Sequence, residues 1–189
     1  MTSRRLKLAS ILAGLALSAL TLLAWTQLWF TVTLESGQSV AIAGDVAAPA
    51  LAALALSGLA LAAALAIAGP VFRVILGGLQ AAIGALVVTS AAMALANPIA
   101  ASAAAVTAVT GVSGVDSVAA LVVDVSATAW PVIALVVGLL LTSLGIAIVA
   151  TARRWPVASR KYQAVQFDDD AVGAWDSLSD GRDPTSPAG

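Results

Sequence analysis

The chain contains no cysteine and no histidine. Without cysteine there is neither a disulfide framework nor a thiolate nucleophile. Without histidine, the commonest metal ligand and the side chain that titrates nearest neutrality are both missing. Charge is almost as scarce: Asp, Glu, Lys and Arg make up 10% of the 189 residues, against about a quarter in an ordinary soluble domain. Acid–base chemistry needs titratable groups within hydrogen-bond reach of one another, and no carboxylate pair lies deep in an apolar segment. An enzyme is therefore not expected, and no cofactor or metal site is expected either. What fills the chain instead is apolar: 60% of residues are hydrophobic, which places it in the membrane class.

A helix needs roughly 20 consecutive apolar residues to cross a bilayer. Four segments qualify: residues 6–29, 47–68, 71–95 and 130–150. None carries an ionisable residue in its central part, which argues against an ion-coupled pump. Gly69-Pro70 marks a tight turn between the second and third spans, and Asn97-Pro98 ends the third. Trp130-Pro131 opens the fourth, where proline is tolerated in a first turn. The first apolar run ends in "WTQLWF" rather than a small-residue cleavage site, so it is expected to be a retained anchor.

The basic residues sort to one side of these spans. Arg4, Arg5 and Lys7 precede the first, Arg73 is assigned to the turn between the second and third, and Arg153, Arg154, Arg160 and Lys161 follow the fourth. The opposite loops, residues 30–46 and 96–129, hold only Glu35, Asp45, Asp116 and Asp124. By the positive-inside rule both termini are expected in the cytoplasm of a multi-pass plasma-membrane protein. Trp25, Trp29 and Trp130 then fall near the outer interface and Trp155 near the inner one, as an aromatic belt would. The four acids are expected to form a solvated rim rather than a cation site.

Helices in lipid associate through close packing and hydrogen bonds. Gly14 and Ser18, then Gly58, Ala62 and Ala66, then Gly77 and Gly84, then Gly138 and Thr142 offer small-residue faces. Gln80 is the most polar residue deep in a span. It would serve either as an interhelical hydrogen bond or as a contact for a transported molecule.

Outside the spans, Phe30, Val32 and Leu34 alternate with threonines, and Val40 and Ile42 alternate beyond "ESGQS". Period-two alternation around a glycine turn predicts a β-hairpin. "LVVDVSAT", residues 121–128, is a candidate third strand, and residues 98–111 read as a short helix. The expected fold is an all-α membrane protein, a four-transmembrane-helix bundle over residues 1–152. It would carry a small extracytoplasmic β-hairpin or sheet cap and a disordered cytoplasmic C-terminal tail, residues 153–189.

That tail rises sharply in charge, glycine and proline and cannot bury a core. Arg153, Arg154, Arg160 and Lys161 suit anionic lipid headgroups. Beyond the acidic run from Asp168 to Asp170, Val172, Trp175 and Leu178 recur every three residues, and one helical turn would set them on one face for a partner's groove. Nothing in the composition suggests nucleic acid as a partner.

"RRWP", then Tyr162, then "WDSLSDGRDPT" resembles the closing signature of the tryptophan-biosynthesis-associated (Trp-region conserved hypothetical) membrane proteins of actinobacteria. "WFTVTL" and "GDVAAPAL", residues 44–51, add to the resemblance. It implies a four-span protein tied to tryptophan synthesis and carries no catalytic residue with it. Trp175, Asp176, Leu178, Gly181, Asp183, Pro184 and Thr185 are the candidate partner-binding residues of the tail. Three functions follow as expectations. The first is a non-enzymatic accessory protein docking a soluble partner through that tail. The second is a small carrier for tryptophan, indole or a related aromatic, acting as a homo-oligomer with Gln80 on its path. The third is a structural protein of the cell envelope.

Overall fold

A computed structural model describes residues 3–152. The tail motif from Trp175 to Thr185 and the cluster Arg153, Arg154, Arg160 and Lys161 lie outside the described residues. Four helices are long and apolar enough to cross a membrane: α1 (Ser3–Thr26), α3 (Ala50–Ile67), α4 (Pro70–Ala96) and α7 (Trp130–Thr151). The remaining elements are β1 (Leu28–Leu34), β2 (Ser39–Ala43), α2 (Gly44–Ala47), α5 (Pro98–Thr110), α6 (Val115–Leu121) and β3 (Val122–Ala127).

Proline sets the starts of α4, α5 and α7, where its missing N–H costs nothing. Gly111 ends α5 in the left-handed region (φ 72°), its N–H bonding the Thr107 carbonyl at 2.8 Å. α5 and α6 are bent by 74° from each other. α5 packs its buried Ser102 and Val106 toward the sheet.

The four long helices form a ring in which α1 touches α3 and α7, and α4 touches α7 and α3. The seam between α4 and α7 is the closest, and glycine makes it so. Gly77 and Gly84 on α4, and Gly138 and Gly145 on α7, are each seven residues apart, two helical turns. A Cβ on Gly145 would strike the Ala81 amide nitrogen and come within 2.7 Å of the Gly77 carbonyl oxygen. One on Gly84 would strike the Thr142 amide and come within 2.8 Å of the Gly138 carbonyl. The two backbones are thus in direct contact. Without a hydrophobic drive between helices in lipid, this contact of many backbone atoms supplies the association.

At one end of the bundle β2, β1 and β3 form an antiparallel sheet in that order, so the hairpin and the third strand both exist. Val32 pairs with Val40 on one side and Val125 on the other. Gly37 turns the hairpin with φ 82°, a value that L side chains rarely adopt. Its N–H bonds the Leu34 carbonyl at 2.8 Å. Phe30, Val32, Leu34, Val40 and Ile42 bury one face of the sheet as their alternation predicts.

Two expectations change. The first helix stops at Thr26, short of residue 29, because Leu28 and Trp29 already belong to β1. Trp29 is therefore not part of an interfacial belt. A bulge between Leu28 and Phe30 in the β1–β2 pairing accompanies two consecutive buried side chains, and Trp29 is wholly enclosed. Its ring lies edge-on to Phe30 (6.3 Å, 78°), and its Nε1 donates at 2.8 Å to the Ala24 carbonyl near the end of α1, which also accepts the Gln27 N–H at 3.2 Å. Gly44 makes room for it, since a Cβ there would lie 2.7 Å from Trp29 Nε1 and 2.7 Å from the Trp25 carbonyl.

Candidate functional site

Gln80 lies on the inward face of α4 and is 3% exposed. Its amide Nε2 is buried without a hydrogen-bond partner. Facing it across the bundle is Ser18 of α1, fully buried, whose Oγ also has no partner. Gly58 of α3 stands between them. A Cβ on Gly58 would collide with Ser18 Oγ and lie 3.8 Å from Gln80 Nε2. Three helices thus bring two unsatisfied polar groups to one point in an apolar interior.

Ser18 departs from the habit of its neighbours. Ser10, Thr21, Ser57, Thr142, Ser143 and Thr151 each donate to the carbonyl four residues earlier in their own helix, the usual refuge of a hydroxyl in a span. Ser18 Oγ instead points at Gly58. Thr89 bonds back three residues, to the Leu86 carbonyl. A third buried donor without a partner, Trp25 Nε1, lies at the sheet end.

At the opposite end, two cations gather on the end of α3. Lys7 Nζ donates to the Ala66 carbonyl at 2.7 Å, and Arg73 Nε to the Ala68 carbonyl at 3.0 Å. The last carbonyls of a helix carry partial negative charge and lack intrahelical donors, so these side chains serve as its cap.

Glu35, Asp45, Asp116 and Asp124 are all exposed at the sheet end. Among the described residues no three acids gather as a metal ion would need. Asp45 Oδ1 accepts from the Val46 amide at 2.8 Å. Two grooves open in the bundle wall. One of about 330 Å³, near the sheet, is walled by Ala48, Pro49, Met93 and Ala101 with Ser90 and Asn97 as its polar groups. The other, about 420 Å³, runs between α3 and α4.

Sequence reasoning singled out Gln80 but treated Ser18 and Gly58 only as small residues. Gly145 escaped it, although its seven-residue spacing from Gly138 repeats that of Gly77 and Gly84.

The model of the tryptophan-associated transmembrane protein family matches residues 8–185, and the chain belongs to that family. No curated protein matches it, and no solved structure does.

Proposed function

We propose that this member of the family is a non-enzymatic accessory protein of tryptophan biosynthesis that holds its C-terminal segment at the membrane for a soluble partner. The observation that carries this reading is the reach of the family match. It runs to Thr185 and so takes in all of "WDSLSDGRDPT", well past the last span at Thr151. A segment serving only as a spacer would have no need of Trp175 and Leu178. On this reading those two side chains enter an apolar groove, and Asp176 and Asp183 face basic residues on its rim. Gly181, Pro184 and Thr185 complete the bound segment.

Charge supports the sidedness this requires. Among the described residues Arg5, Lys7 and Arg73 sit at the bundle end away from the sheet, where α7 also finishes, and the acids sit at the other. The positive-inside rule then assigns both termini to the cytoplasm and the sheet to the outside. Arg153, Arg154, Arg160 and Lys161 would hold the start of the tail against anionic headgroups.

Affinity purification of the full chain from its native membranes, beside a Trp175→Ala variant, tests the reading. An enzyme of tryptophan synthesis should accompany the wild type and fall at least tenfold with the variant. Equal recovery by both would overturn it.

A further inference from the structure

The groove of about 330 Å³ near the sheet joins an open volume to two polar side chains that have left their usual local partners. Ser90 is the first. Ser57, Thr142 and Ser143 donate to the carbonyl four residues earlier in their own helices. For Ser90 that carbonyl belongs to Leu86, and it takes the Thr89 hydroxyl instead, at 3.0 Å. Among the described residues Ser90 Oγ has no hydrogen-bond partner. Asn97 is the second. It stands at the N-cap of α5, where an asparagine side chain ordinarily accepts from the first amides of the helix, yet it makes no such bond.

Both side chains line the groove. They are seven residues apart along α4 and its cap, two turns or about 10 Å, with Met93 and Ala94 between them. Ala48 and Pro49, leading into α3, and Ala101 of α5 complete the wall. The result is a short slot, apolar in the middle and hydrogen-bonding at each end. Met93 and Asn97 are exposed and stand at its mouth, while Ser90, half-buried, lies deeper along α4.

We propose that this slot binds a small uncharged molecule with a compact apolar body and a polar group at each end. The chemistry follows from the wall. A hydroxyl and a carboxamide each donate and accept, so they suit alcohols, phenols and amides. No ionisable side chain lines the slot, and a charge held there would be unpaired. Size separates a small molecule from a lipid. The volume lies at the lower end of small-molecule pockets, about 300–1,000 Å³. An acyl chain reaches through half the hydrocarbon core, about 15 Å, and overruns a slot of two helical turns. This inference is independent of the tail-docking reading and needs none of its residues.

The chain supplies its own reporter, because Met93 at the mouth shares the sequence with one other methionine, Met1. The test uses the full chain in lipid nanodiscs with ¹³C-labelled methionine methyl groups, the Met93 signal being assigned by its loss in Met93→Leu. The probe is para-hydroxybenzamide. The expected result is a saturable shift of the Met93 methyl with Met1 unmoved. Affinity should be at least fivefold weaker in both Ser90→Ala and Asn97→Ala, and unchanged in Thr89→Ala, whose hydroxyl is bound to its own helix. Three outcomes would overturn the proposal: no saturable shift up to the solubility limit of the probe; a saturable shift whose affinity is the same in Ser90→Ala and Asn97→Ala as in the wild type; or Overhauser contacts from the Met93 methyl to lipid protons that the probe does not displace, which would make the slot a lipid site.

Discussion

Replacing Trp29 with alanine removes the largest fully buried side chain of the described residues and, with it, one of two donors to the Ala24 carbonyl. Large-to-small changes of buried aromatics cost about 3–5 kcal/mol. Trp29→Phe keeps most of the volume and forfeits the hydrogen bond, worth about 1 kcal/mol. Unfolding in detergent followed by tryptophan fluorescence of the remaining indoles should rank wild type, Trp29→Phe and Trp29→Ala in that order of stability. Equal stability of the two variants would mean that the pocket at Gly44 does not hold the ring. The sequence made Trp29 look interfacial because two positions of an indole cannot be told apart by composition. What decides is the bulge that turns it inward, and bulges leave no reliable trace in a single strand's pattern. Gln80 was legible as a polar residue in an apolar span. That its amide lacks a partner was not, since partnership depends on three helices meeting.

At the scale of elements, the seam between α4 and α7 gives the sharpest contrast. Gly84→Ala and Gly145→Ala each push a methyl group into backbone atoms of the facing helix. Overpacking of this kind costs about 1–3 kcal/mol, and backbone offers less give than a side chain. Gly78, also on α4, faces open space with nothing within 4 Å of its added Cβ. Gly78→Ala should therefore be neutral, or stabilising by up to about 1 kcal/mol from helix propensity. Thermal loss of monodisperse protein in detergent separates the two classes. If Gly145→Ala and Gly78→Ala behave alike, the close approach of the two helices is not what holds them. The hairpin and β3 were readable from alternation and a glycine turn, because one buried face writes a period of two into the sequence. α6 was not foreseen. Its seven residues run directly into β3, and a single helical turn or two carries too few apolar positions to set a period.

At the scale of the molecule, the helices, the sheet and the distribution of charge converge on one arrangement. Four apolar helices link a sheet at one end to the start of α1, the Gly69-Pro70 turn and the end of α7 at the other. Span number and order were plain in the sequence, because long apolar runs separated by Gly-Pro and Asn-Pro leave little choice. The side on which each end lies rests on the basic residues, and the whole proposal of a docked cytoplasmic partner rests on that side. The chain's lack of cysteine makes it directly measurable, since each introduced thiol is the only one present. Ser36→Cys places a thiol in the exposed hairpin turn and Ser179→Cys places one beside Leu178. In intact cells a membrane-impermeant maleimide should label Ser36→Cys and leave Ser179→Cys unlabelled until the membrane is opened. Labelling of Ser179→Cys in intact cells, with Ser36→Cys protected, would contradict the account.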